Sequence, residues 1–167
     1  MNRSLKLFIA LALFLTACTQ GIQTGAQSTS TFQDAPIFVA ATGESTTISE
    51  QIDPNRPALL WFWAPHWVIC QFESGEVEQF AQDNPEIQVI GLGSQDNLEF
   101  AQEFITQTGL ESPTMLWADN FDIWQQFGIT VNSQMVLVSG DLTQSSPLFF
   151  GFDSTRQQQV IATAENF

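Results

Sequence analysis

The sequence predicts an α/β domain with a central mixed β-sheet flanked by helices. Short apolar runs alternate with amphipathic segments, most clearly at Ala58–Trp63 and again at 87–92. An unbroken apolar run is typical of a strand buried on both faces, which requires helices above and below the sheet. A turn at 139–141 then joins two further apolar runs, 135–138 and 148–152, as an antiparallel hairpin.

The remaining elements follow in order along the chain. Ile37–Ala40 is a short apolar run that ends in a turn, and 114–117 is a further short strand. Helices are predicted from Cys70 to Asp83, from Asp96 to Thr108, at 121–127, and from Ser154 onward.

Local signals mark the helix ends. Asp96 with Glu99 resembles a capping box, and Asp119 is predicted to cap the short helix that follows it. Glu73 and Glu76 lie in the early turns of the first helix, where the helix dipole favours carboxylates.

The N-terminus resembles a bacterial lipoprotein signal. Arg3 and Lys6 precede an apolar run that is too short to span a bilayer. Residues 15–18, Leu-Thr-Ala-Cys, resemble a lipobox, in which the cysteine is acylated and becomes the first residue after cleavage. An ordinary signal peptide with a chance cysteine is the alternative. We expect three segments: a signal peptide at 1–17, a lipidated Cys18 with a flexible tether at 18–33, and a domain at 34–167.

The chain is strongly acidic, with 18 Asp and Glu, 4 Lys and Arg, and a formal net charge of -14. Since two of the cations lie in the predicted signal, the domain retains only Arg56 and Arg156. Nucleic acid and anionic surfaces are therefore poor partners. The length of 167 residues suits one domain.

The most specific motif lies at 59–70 and reads Leu-Leu-Trp-Phe-Trp-Ala-Pro-His-Trp-Val-Ile-Cys. It resembles the thioredoxin-like superfamily, whose active site reads Phe-Trp-Ala-x-x-Cys-x-x-Cys. Cys70 matches the second cysteine, and Trp67 stands in place of the first. The opening at Ala35-Pro36 and the element order resemble extracytoplasmic proteins of the TlpA and AhpC/TSA (redoxin) type. The resemblance covers about Ala35 to the C-terminus and implies a thioredoxin fold with an N-terminal β-hairpin extension.

Three departures from the family pattern bear on function. The first cysteine is the thiolate that attacks a disulfide, and Trp67 cannot ionise. Ser133 occupies the position of the family's cis-proline. Because a cis bond before any other residue costs about 2.5–4 kcal/mol, we expect a trans bond or a rebuilt loop there. Many members also have a buried acid where this chain has Trp61. Together, the losses at Trp67 and Ser133 predict that dithiol exchange is absent.

Cys70 and His66 are the remaining candidates for chemistry. Cys70 could act as a single catalytic thiol, although free cysteines are often simply buried. The peroxiredoxin pattern Pro-x-x-x-Thr-x-x-Cys is not met, because Pro65 lies five residues before Cys70 instead of seven. A zinc site needs three or four ligands and these two residues supply only two, so we predict no metal and no other cofactor.

Two functions stay open. A thioredoxin fold without its dithiol would be a binding or scaffold module that holds a peptide or protein ligand in the family's active-site groove. Exposed aromatic side chains are typical anchors of such interfaces. The predicted groove residues are Trp63, His66, Trp67, Asn132 and Ser133. The alternative is a thiol oxidoreductase or peroxidase that works through Cys70 alone. In either case we expect a membrane-anchored protein of the cell envelope, held outside the cytoplasm through Cys18.

Overall fold

Strands and helices alternate along the chain much as the sequence predicts. The computed structural model describes residues 27–28, 32–131 and 133–167. The strands are β1 (Gln27–Ser28), β2 (Ile37–Val39), β3 (Ser45–Thr46), β4 (Ala58–Trp63), β5 (Gln88–Gly93), β6 (Thr114–Trp117), β7 (Gln134–Val138), β8 (Gln144–Ser145) and β9 (Phe149–Phe150). The helices are α1 (Ile48–Gln51), α2 (Val68–Asp83), α3 (Leu98–Thr108), α4 (Asp122–Gln126) and α5 (Ser154–Ala164).

The described strands form one mixed sheet in the order β1-β8-β7-β4-β5-β6-β2-β3, and β9 also pairs with β7. β4, β5 and β6 run parallel, whereas the other pairings are antiparallel. β2 and β3 form the N-terminal hairpin that the resemblance implies. The predicted class, a central mixed sheet flanked by helices, is confirmed.

Alternation along β4 sends successive side chains to opposite faces of the sheet. Leu59, Trp61 and Trp63 join the core formed with α2, α3 and α5, whereas Leu60 and Phe62 join the core formed with α1 and α4. All six residues of β4 are fully buried, as the unbroken apolar run predicts. The strand that leads into the site is thus held from both sides.

A glycine of β5 makes room for one of the three tryptophans of the core formed with α2, α3 and α5. Trp63 lies opposite Gly93 in the parallel register and stacks on Phe104 with ring centroids 4.7 Å apart. A Cβ at Gly93 would lie 2.6 Å from the Trp63 ring and 2.9 Å from the Trp117 ring. These distances are too short for any residue except glycine.

Two predicted helix caps are wrong. The cap of α3 is Asn97, whose side chain accepts a hydrogen bond from a helix N–H, whereas Asp96 contacts His66. Asp119 does not cap α4, because its carboxylate accepts a hydrogen bond from Trp117 Nε1 at 3.1 Å. In both cases a donor from another side chain engages the carboxylate, and helix-start signals in the sequence do not reveal that competition.

The second strand of the C-terminal hairpin is shorter and interrupted. The predicted run 148–152 is replaced by the two-residue strands β8 and β9, and Pro147, which has no N–H to donate to a ladder, lies between them. β1 pairs with β8, so two residues of the predicted tether join the sheet edge. The predicted signal peptide, Cys18 and most of the tether lie outside the described residues. None of the described helices is long and apolar enough to cross a membrane.

Candidate functional site

The site lies where β4 ends and α2 begins. The Trp67 N–H donates to the Ala64 carbonyl at 3.3 Å, and the Trp67 carbonyl accepts from the N–H groups of Cys70 at 2.9 Å and Gln71 at 3.3 Å. Trp67 is the N-cap of α2 but makes no side-chain cap, since its indole is only a donor. The turn and helix start of the family motif are therefore present, with Cys70 in the first turn.

Cys70, the cysteine that the structure describes, is fully buried. Burial raises the pKa of the Cys70 thiol above its ordinary value and outweighs the contacts with Ala64 and Ser133 that lower it. The nearby charge of Glu73 raises this pKa further. A thiol with a raised pKa is largely protonated at neutral pH and is a poor nucleophile.

Ser133 and Glu73 form a buried polar pair beside this thiol. The Ser133 hydroxyl donates a hydrogen bond to the Glu73 carboxylate, and Trp61 Nε1 donates to Ser133 Oγ at 3.4 Å. Only 2% of Ser133 and 8% of Glu73 is exposed. Burial raises the pKa of Glu73, although the hydrogen bonds from Ser133 and Trp61 oppose this shift.

Glu73 is the site residue that sequence analysis missed. It was predicted to be a carboxylate favoured by the helix dipole, whereas its side chain lies on the buried face of α2. The available signal was its spacing, because Cys70, Glu73, Val77 and Phe80 recur at intervals of three and four and share one helix face. A buried carboxylate is therefore supplied by the helix, whereas Trp61 stands at the β4 position for which the resemblance implies an acid.

The backbone at Ser133 is not suited to proline. Its φ is 59°, and its N–H donates to the Phe62 carbonyl at 2.8 Å. Proline fixes φ near −65° and has no N–H. No peptide bond among the described residues is cis, and the neighbouring Asn132 lies outside them. The loop is therefore built around a residue that keeps its N–H.

An exposed apolar surface surrounds the start of α2. It consists of Trp67, Val68, Ile69 and Phe72, which we call the α2 surface. Their exposure runs from 41% at Trp67 to 78% at Phe72. The other four tryptophans of the chain are fully buried, so Trp67 is the only tryptophan at the surface.

Side chains of the loop after β5 hold the turn in place. Trp67 Nε1 donates to Gln95 Oε1 at 3.2 Å, and His66 Nε2 lies 2.5 Å from the Asp96 carboxylate and 3.3 Å from the Gln95 carbonyl. The ring of Phe100 packs against the edge of the His66 ring. His66 therefore contacts this loop and α3, and these contacts position the turn that carries Trp67.

The predicted groove residues do not all meet at one surface. His66 and Trp67 are exposed beside each other, whereas Ser133 lies beneath the surface. The prediction that Trp63 lines the groove is wrong, because strand alternation directs its ring into the core against Phe104. Among the described residues, no group of three or more His, Cys, Asp or Glu is arranged to hold a metal ion.

Comparison with known proteins extends this picture. No protein-family model matches the chain. The soluble secreted antigen MPT53 of Mycobacterium bovis is 27% identical over 91 residues, which make up 54% of this chain and 52% of the antigen. The chain thus spans about half the length of the curated relatives it matches.

Solved structures match over more of the chain. The structure of MTB dsbF in its mixed oxidized and reduced forms has a TM-score of 0.65 and 26% identity, and the match covers 78% of this chain and 93% of dsbF. The exposed lipoprotein thioredoxin Etrx1 of Streptococcus pneumoniae has a TM-score of 0.66 and 13% identity, with coverage of 81% and 100%. The chain has the thioredoxin fold, and the solved structures that it resembles include thiol–disulfide oxidoreductases of the DsbE type.

Proposed function

We propose that this protein is a membrane-anchored, extracytoplasmic binding module on a thioredoxin fold, that it does not perform dithiol exchange, and that it holds a peptide or protein ligand at the α2 surface. One observation carries the proposal. The position of the attacking cysteine holds the exposed Trp67, while the remaining thiol, Cys70, is fully buried.

The environment of Cys70 argues against redox chemistry. Exchange begins with a thiolate that can reach a disulfide in another molecule. Cys70 is inaccessible in this conformation, and both burial and the charge of Glu73 raise its pKa. Proteins with similar DsbE-like structures are oxidoreductases. We infer that this chain shares their fold but does not perform their reaction.

The α2 surface has the features of a binding site. Trp67 and Phe72 belong to the aromatic types that are enriched at protein interfaces. They stand with two aliphatic residues on a helix that is anchored in the core through Cys70, Val77 and Phe80. A rigid apolar surface loses little conformational entropy on binding. The domain has 18 carboxylates and two arginines, so its field favours a ligand with basic residues around its apolar contact.

Anchoring outside the cytoplasm rests on the Leu-Thr-Ala-Cys sequence at 15–18. Relatives support this location, because they include a secreted antigen, a secreted disulfide oxidoreductase and an exposed lipoprotein. Acylation of Cys18 with two or three chains would hold the domain stably at a membrane.

Two measurements test the absence of redox activity. Insulin reduction with dithiothreitol should proceed at the uncatalysed rate in the presence of the protein. Alkylation of Cys70 should be slow in the native protein and fast after denaturation. Catalysis that disappears in Cys70→Ser would overturn the proposal and establish the single-thiol oxidoreductase instead.

Site-specific photo-crosslinking in the source organism tests the binding role. A photoreactive amino acid at Phe72 should give a discrete adduct with one partner. The matched control is Gln79, which is also exposed on α2 but lies outside the α2 surface. Adducts of equal yield at both positions, or none at Phe72, would count against a ligand at this surface.

A further inference from the structure

A concave surface lies between α5 and the edge segment 146–150, and it shares no residue with the α2 surface. The cavity has a volume of about 630 Å³ and is lined by Leu137, by 146–150, and by Arg156, Gln159, Val160 and Thr163 of α5. An adjoining cavity of about 230 Å³ shares Phe150, Arg156 and Gln159 with it. We call the two together the α5 groove.

Arg156 is the unusual residue of this groove. The other arginine of the domain, Arg56, forms an ion pair with Asp53 at 3.2 Å and donates to the Pro85 carbonyl at 2.7 Å. The Arg156 backbone N–H donates to the Asp153 carboxylate at 2.9 Å, but its guanidinium forms no ion pair among the described residues. Its guanidinium donates to Gln159 Oε1 at 2.8 Å and lies 4.9 Å from the centre of the Phe149 ring. In so acidic a domain, a cation without a carboxylate partner is available to an anion from outside.

Apolar side chains share the lining of the groove with polar ones. Leu137 and Val160 are buried residues of its lining, and Leu148 and Phe149 are half-buried in the edge segment. The volume lies in the range of small-molecule sites, which are mostly apolar with few polar groups that fix the orientation of the ligand. The groove therefore matches a ligand with an apolar body and one anionic group.

We propose that the α5 groove binds a single-chain amphiphile with a carboxylate head, such as a fatty acid. The guanidinium of Arg156, oriented by Gln159 and Phe149, offers donors with the fork geometry that carboxylates accept. A singly charged head is favoured over a multiply charged one, because Asp153 also lines the smaller cavity and the whole domain is acidic. The apolar chain lies along Leu137, Leu148 and Val160. This inference does not depend on the function proposed for the α2 surface.

Calorimetric titration of the full-length protein with monomeric dodecanoate tests the proposal. We expect saturable binding at one site, and we expect dodecyltrimethylammonium, which has the same chain and the opposite charge, not to bind there. Arg156→Gln should weaken dodecanoate binding by about tenfold or more, since a hydrogen bond to a charged group is lost. Arg56→Gln removes the same charge elsewhere and should leave the affinity nearly unchanged.

A steric variant tests the position of the apolar chain. Thr163 is exposed on α5 and lines the cavity, so Thr163→Phe fills the groove without disturbing the core. It should abolish dodecanoate binding, whereas Phe72→Ser in the α2 surface should not alter it. Absence of binding to the unaltered protein, equal binding of the cationic amphiphile, or affinity retained in both groove variants would overturn the proposal.

Discussion

The Ser133 hydroxyl donates a hydrogen bond to the Glu73 carboxylate across a separation of 60 residues in the chain. The bond joins the loop before β7 to the first turns of α2, next to the buried thiol of Cys70. In the family that this chain resembles, a cis-proline would stand at the position of Ser133. In this chain a side-chain hydrogen bond ties that loop to α2.

Glu73→Gln should change the pH dependence of stability. Because burial raises the pKa of Glu73, the folded protein retains this proton at pH values where the unfolded chain releases it. The free energy of unfolding of the wild type should therefore fall as pH rises from 4.5, the ordinary pKa, through the raised value. The glutamine variant cannot ionise, so it should lack this decline and gain stability relative to the wild type as pH rises.

Urea denaturation at a series of pH values measures this effect. Glu103→Gln, at an exposed carboxylate of α3, is the control and should retain the pH profile of the wild type. Parallel profiles for Glu73→Gln and the wild type would show that Glu73 is not the group responsible.

Ser133→Pro should destabilise the fold instead of restoring the family's substrate loop. Proline fixes φ near −65°, whereas Ser133 has a φ of 59°. Proline also lacks the N–H that Ser133 donates to the Phe62 carbonyl. Ser133→Gly is the matched control, because it removes the hydroxyl but keeps the N–H and tolerates positive φ. We expect the free energy of unfolding of the proline variant to be about 2–3 kcal/mol lower than that of the glycine variant. Equal stability of the two would show that the loop adopts the family conformation readily.

Trp67→Cys should form a disulfide with Cys70 under mild oxidation. The two positions are one helical turn apart, with the Cys70 N–H bonded to the Trp67 carbonyl at 2.9 Å. Because Trp67 is 41% exposed, its loss should cost only about 1 kcal/mol of stability. Mass spectrometry after alkylation would reveal the bridge.

Phe72→Cys controls for nonspecific oxidation. Phe72 is exposed but lies two residues from Cys70, a spacing that directs the two side chains to different sides of the helix. If Trp67→Cys folds and its thiols never pair, then the match of Cys70 to the family's second cysteine is wrong.

Among substitutions that add one methyl group to a residue of the sheet, Gly93→Ala should lower the stability of the protein most. The added Cβ would meet the rings of Trp63 and Trp117 within 3 Å, and overpacking of a core costs about 1–3 kcal/mol. Gly75→Ala in α2 is the opposite case, because a Cβ there has no heavy atom within 4 Å. This variant should gain about 0.5–1 kcal/mol from helix propensity. Thermal denaturation of both variants distinguishes a steric role for Gly93 from a general preference for glycine.

Cys18→Ser should abolish membrane anchoring. The serine variant cannot be acylated at this position, so it should accumulate unprocessed or appear in the soluble fraction. Fractionation and metabolic labelling with palmitate would measure both outcomes. Normal processing and membrane retention of the variant would exclude Cys18 as the anchor.

Local patterns in the sequence were sufficient to predict the class of fold. The apolar run at 58–63 and the periodic helices predicted at 70–83 and 96–108 appear in the structure as β4, α2 and α3, close to where they were predicted. The spacing of apolar residues along a strand or helix depends on which side of that element faces the core. This spacing can be seen in a short stretch of consecutive residues. That Trp67 stands in place of the first cysteine of the family motif stays a prediction from the motif alone.

The arrangement around that motif was decided by tertiary structure. Glu73 and Ser133 meet only because α2 and the loop before β7 pack together, and no local pattern signals a bond between residues so distant in the chain. Trp63 is excluded from the surface by Phe104, which α3 supplies from 41 residues further along the chain. Asp96 contacts His66 instead of capping α3, again because the fold brings a distant segment of the chain next to it. The sequence by itself determined the order of strands and helices and the class of fold. Tertiary structure alone decided which side chains are buried together and which carboxylates are engaged, because contacts between distant segments set those energies.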